Sequence, residues 1–116
     1  MARVVAFIPD LLFGSNVLGA LSAAGHDAVL VSDPAALGTE LAGAQAVIVD
    51  LTADAGERIA QLTATERAGV KTLAFYAHVE QEVRAQAEQA GFDLVVPRSR
   101  MAREGAALIT RLVGGA

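Results

Sequence analysis

Side chains able to hold a cation, bind an anion or move a proton recur just after short apolar runs in this chain. Asp10 follows Val4-Val5-Ala6-Phe7-Ile8, and Asp50 closes Ala46-Val47-Ile48-Val49. His78 comes soon after Thr72-Leu73-Ala74-Phe75, and Arg98 and Ser99 follow Leu94-Val95-Val96. Two carboxylates suit a divalent cation, an imidazole suits a base or a ligand, and a guanidinium beside a hydroxyl suits an anion. Each also has a structural reading. Asp10 suits the first turn of a helix, whose dipole welcomes negative charge. Asp50 can cap its own loop through the amides of Thr52 or Ala53. His78, followed by Val79-Glu80, fits a locally hydrogen-bonded residue at a helix start.

Arg98, Arg100 and Arg103 crowd the start of the last helical stretch, where the dipole disfavours cations, so helix stability does not explain them. They either pair with Asp10, Asp50 or Glu104, or form an anion site with Ser99 and the helix-start amides. Ser15, in Phe13-Gly14-Ser15-Asn16, places glycine and a hydroxyl at a helix start, a weak phosphate-loop pattern. It lacks both the G-x-G-x-x-G of dinucleotide binders and the Gly-Lys-Ser/Thr ending of triphosphate loops, so no cofactor is expected. His26 is expected at the opposite end of the molecule and receives no role.

The apolar runs that carry these residues, with Ala28-Val29-Leu30-Val31 as a fifth, are too short for helices and rich in β-branched residues. They are continuously apolar, as strands are when both sheet faces are covered. Segments of helical period lie between them: Val17, Leu18, Leu21 and Ala24 in one, Val79, Val83, Ala87 and Ala90 in another. Asp33-Pro34 reads as a cap with proline in the first turn, and Asp54 with Glu57 as a capping box. Gly25, Gly43, Gly69 and Gly91 fall where a helix C-terminus would need positive φ. Alternating strands and helices predict a three-layer α/β/α flavodoxin-like sandwich with a five-stranded parallel sheet of order 2-1-3-4-5. In that order the chemically able residues share the carboxyl edge of the sheet, where such folds bind ligands.

A length of 116 residues at 53% hydrophobic content makes one domain, 1–116, with a real core. The absence of Cys excludes disulfides, thiolate metal sites and Cys nucleophiles, and agrees with a reducing cytoplasm. A net charge of −4 argues against nucleic acid. The balance is uneven: residues 1–57 carry one basic and seven acidic residues (−6), and residues 58–116 carry eight basic and six acidic (+2). Pro9-Asp10 cuts short an N-terminal run resembling a secretory leader, and no apolar run approaches membrane-spanning length, so a cytoplasmic protein off the membrane is expected. The Gly114-Gly115-Ala116 end reads as a frayed tail.

With Asp10 and Asp50 at ends of the first and third strands, the chain resembles the receiver domain of two-component response regulators (the CheY-like family) over nearly its full length. In that family an acidic pair after strand one helps bind a divalent cation, and an aspartate ending strand three accepts a phosphoryl group. A Thr or Ser ends strand four and a Lys ends strand five. The resemblance makes Asp50 the candidate phosphoacceptor and Asp10 half of the acidic pair, its partner position being Pro9. Ala77 stands where the hydroxyl belongs, and Pro97, with Arg98 beside it, where the lysine belongs. Mg²⁺ held by Asp10 and Asp50 alone would be held weakly.

The implied activity is a degenerate, pseudo-receiver signalling or protein-interaction module, not an enzyme, without efficient Asp phosphorylation. The alternatives are a phosphorylatable switch using Asp50 with a divalent cation, and a small-anion sensor using Asp10, Ser15, His78, Arg98 and Ser99. The resemblance places a protein partner or a second copy on the face of helix four, strand five and helix five. There Leu108 and Leu112 lie in a wider apolar arc than one sheet contact needs.

Overall fold

The computed structural model describes residues 2–114. Five strands, β1 (Arg3–Phe7), β2 (Asp27–Val31), β3 (Ala46–Asp50), β4 (Lys71–Tyr76) and β5 (Leu94–Pro97), alternate with five helices. The helices are α1 (Leu11–Ala23), α2 (Pro34–Leu41), α3 (Ala55–Thr63), α4 (Gln81–Gln89) and α5 (Arg98–Gly114). The strands pair in parallel in the order β2-β1-β3-β4-β5, as the patterning predicts. Of the expected frayed end, Gly114 closes α5, and Gly115 and Ala116 lie outside the described residues.

Alternate residues of the strands feed two cores. Val4, Ala6 and Ile8 with Ile48, Leu73 and Phe75 pack under α1 and α5, against Val17, Leu21 and Ile109. Val5, Phe7, Val47, Val49 and Ala74 pack on the other face, against Leu37, Leu62 and Ala87 of α2, α3 and α4. This two-sided burial is the reason the strands read as unbroken apolar runs. At Gly14 in α1 an added Cβ would come within 2.7 Å of the Leu30 side chain, so the missing side chain lets this helix lie close on β2.

Local signals fare unevenly. Asp33 caps α2 by accepting from the Ala36 amide at 2.8 Å, with Pro34 behind it. The four inter-element glycines all take positive φ. The Asp54–Glu57 capping box does not form. Asp54 sits in the left-handed region at φ 53° and its side chain caps nothing, while Glu57 accepts from Gln61 one turn on. The α4 stripe is shorter than its sequence period suggests. Val83 and Ala87 seat the helix, but Val79 precedes it at 74% exposure and Ala90 is exposed.

His26 has a structural role that the sequence does not announce. It is buried before β2, where Nδ1 accepts from the Ala2 amide at 3.2 Å and Nε2 lies 2.8 Å from Thr110 Oγ1 on α5. Because Nδ1 accepts, Nε2 carries the proton and donates to Thr110. The ring thus ties the start of β1 to the last helix.

Candidate functional site at the carboxyl edge of the sheet

The sheet order brings the ends of β1, β3, β4 and β5 to one edge, and with them Asp10, Asp50, His78, Arg98 and Ser99. Asp50 is the most enclosed, at 5% exposure. Its Oδ1 accepts from the Thr52 amide at 2.8 Å and from the Thr52 hydroxyl at 2.6 Å. One oxygen of the carboxylate therefore closes the turn after β3, the capping role that its position before Thr52 allows.

Asp10 is the N-cap of α1, its Oδ1 accepting from the Phe13 amide at 3.1 Å. Its Oδ2 faces Arg98 Nη2 at 3.6 Å, and both side chains are about half exposed (50% and 49%). The Arg98 guanidinium lies over the Phe13 ring, 4.3 Å from its centroid, and that ring packs at 5.1 Å on Phe75 of β4. Arg98 thus joins the ends of β1 and β5 through a wet ion pair and a cation–π contact. Arg100 and Arg103 both turn to Glu104, at 3.5 and 3.9 Å. The crowded cations of α5 are largely explained by pairing within the fold.

Two hollows open beside this cluster. One, of about 350 Å³, is lined by Phe13, Ala77, His78, Arg98, Ser99 and Ala102. The other, of about 340 Å³, runs between α1 and α5 past Phe13, Val17, Met101, Ala102 and Gly105. His78 is exposed on the rim and its carbonyl accepts from Gln81, the local role expected of it. Ser15 stands apart from the hollow at Arg98. It sits inside α1, which begins at Leu11, so Phe13-Gly14-Ser15-Asn16 is helix and not a phosphate loop. Phe13 is the residue that sequence reasoning missed, since it walls both hollows and carries Arg98. Its spacing of four from Val17 and eight from Leu21 is the signal that could have found it. Arg58 of α3, stacked 5.3 Å from the Phe7 ring, was missed as well.

Leu108 is 3% exposed and belongs to the core, which leaves Leu112 half-buried at the surface of α5, like Ala106 and Val113. The broad apolar arc of α5 is spent on the sheet and on α1. An apolar recess of about 270 Å³ remains beside it, lined by Leu94, Arg100, Leu108, Arg111 and Leu112.

No family model matches this sequence, and no curated protein is similar to it. Solved structures are. A response regulator from Thermotoga maritima superposes with a TM-score of 0.81 at 14% identity, covering 98% of each chain. The chain has the receiver fold. The receiver domain of a Francisella response regulator gives a TM-score of 0.82 at 12% identity, covering 99% of this chain and 98% of that one. The receiver domain of a sensor histidine kinase from Pseudomonas aeruginosa, solved with magnesium coordinated in its active-site cleft, gives 0.77 at 18%, covering 97% and 98%.

The residues present do not make a receiver's cation site. Pro9 offers no ligand where an acidic partner of Asp10 would stand. Asp10 is engaged by the Phe13 amide and Arg98, and Asp50 by Thr52. Among the described residues no three His, Cys, Asp or Glu side chains gather. Mg²⁺ demands near-octahedral oxygen geometry, and two carboxylates with no ligand at the Pro9 position supply only part of it.

Proposed function

We propose that this chain is a pseudo-receiver, a signalling or protein-interaction module that keeps the receiver scaffold and lacks efficient phosphoryl transfer to Asp50. The observation that carries this reading is the state of the Asp50 crevice. The acceptor carboxylate is buried and holds Thr52 through two hydrogen bonds, and Arg98, which follows the expected lysine position, is paired with Asp10 and stacked on Phe13. In-line phosphoryl transfer depends on a metal and fixed cations aimed at the transferring group. Pro9, Ala77 and Pro97 supply none of the expected carboxylate, hydroxyl or ammonium groups.

Such a module acts by contact, with a protein partner or a second copy on the α4–β5–α5 face. Leu112 and the recess beside Leu94 are the accessible apolar features there. Among the described residues no helix is long and apolar enough to cross a membrane. The test is intact-mass spectrometry after incubation with acetyl phosphate and Mg²⁺. The native mass is expected to persist. Addition of one phosphoryl group, abolished in Asp50→Asn, would instead establish a working switch.

A further inference from the structure

The carboxyl edge exposes apolar surface where phosphoryl chemistry would call for polar groups. Leu11, Leu12 and Val79, at 70, 77 and 74% exposure, are the exposed large hydrophobic side chains of the described residues. All three lie on segments leaving this edge, the start of α1 and the turn after β4. Near this edge the two hollows share Phe13 and Ala102 as walls. Each is of small-molecule size and mostly apolar in lining.

The inner cleft is built from small and adaptable residues. Met101 lies over Gly105, where an added Cβ would come within 2.6 Å of the Met101 methyl, so the absent side chain leaves room for a thioether wall. The outer hollow is lined by Arg98 and Ser99 at the first turn of α5, whose dipole is positive. A guanidinium has five donors, and one wet contact to Asp10 leaves most of them free.

We propose that this double hollow is a binding site for a small amphipathic acid: a flat apolar ring lodged between α1 and α5 beside Phe13 and Met101, with its carboxylate on Arg98 and Ser99. Arg98 would then bridge two carboxylates, that of Asp10 and that of the ligand. The two compete for one guanidinium, which gives the site a signed test. Asp10→Asn keeps the α1 cap, since Asn is as good an N-cap, while removing the competing charge.

The experiment titrates the folded protein with 1-anilinonaphthalene-8-sulfonate, read by fluorescence, and displaces it with 2-naphthoate or with uncharged 2-naphthol. Saturable binding displaced by both compounds is expected. Arg98→Gln should weaken 2-naphthoate roughly tenfold, the scale of one lost hydrogen bond to a charge, and leave 2-naphthol unchanged. Asp10→Asn should tighten 2-naphthoate, Ala102→Phe should abolish binding of both, and Arg103→Gln should change nothing. If Ala102→Phe fails to fold, as judged by circular dichroism, the contrast between Arg98→Gln and Arg103→Gln decides alone. Unsaturable fluorescence, or 2-naphthoate affinity unmoved by Arg98→Gln, would overturn the site, and neither result would alter the mass outcome at Asp50.

Discussion

At the scale of single residues, the carboxyl edge is a place where charges are retained and redirected. Arg98 stands beside the position at which the resemblance expects a lysine, but its head lies over Phe13 and reaches Asp10. Both members of that pair are about half exposed, so the ion pair contributes less than about 1 kcal/mol and the stacking a similar amount. Arg98→Ala should therefore lower the melting temperature by more than Arg103→Ala, whose contact to Glu104 at 3.9 Å is long and wet. Equal melting temperatures for the two variants would count against the Arg98 contacts. Asp10 and Asp50 were legible in the sequence because a carboxylate at an element boundary has few geometric options, and both took the capping role. Phe13 was not legible as a site residue, since one aromatic in a helix start looks like any other core anchor until the partner helix is placed.

At the scale of elements, the strands and glycine stops were readable because each is set by a strong local rule: unbroken β-branched runs for a covered sheet, and positive φ after a helix. The Asp54–Glu57 box and the Val79 end of the α4 stripe failed for a shared reason. Short exposed helices obey periodicity loosely, and the loop before each one chose its own start. His26 was unreadable because its partners, Ala2 and Thr110, are brought to it only by the assembled fold. Replacing Thr110 by Val leaves the Nε2 proton without its acceptor, and His26→Ala removes the ring that both partners share. Each should cost about 1–2 kcal/mol by urea denaturation, with the double variant costing less than the sum. Additive losses would mean that the two side chains are not coupled. Along α5, Leu108→Glu should prevent folding because it places a charge in the core, whereas Leu112→Glu should leave circular dichroism intact and, if α5 docks a second copy, reduce association in sizing chromatography. A folded Leu108→Glu protein would contradict the packing of α5.

At the scale of the whole molecule, a sheet of fixed order and two apolar cores reproduce the receiver fold at 10 to 18% identity to the solved structures. So little identity suffices because the fold asks mainly for apolar runs, helix stops and right-handed crossovers, which many sequences meet. Function asks for particular atoms at one edge. There Asp10 caps α1 and one oxygen of Asp50 closes the turn at Thr52. Its acidic first half and basic second half meet across the same crevice, through Asp10 on α1's cap and Arg98 at the start of α5. On the proposed reading, this edge holds its own loops and does not gather a metal for phosphoryl transfer. Titration of the ¹⁵N-labelled protein with Mg²⁺, followed by amide NMR shifts, tests it most directly. The amides of Asp10, Asp50 and Thr52 should show only the small, unsaturating drift of ionic strength, whereas saturable shifts centred on those three residues, lost in Asp50→Asn, would contradict the account.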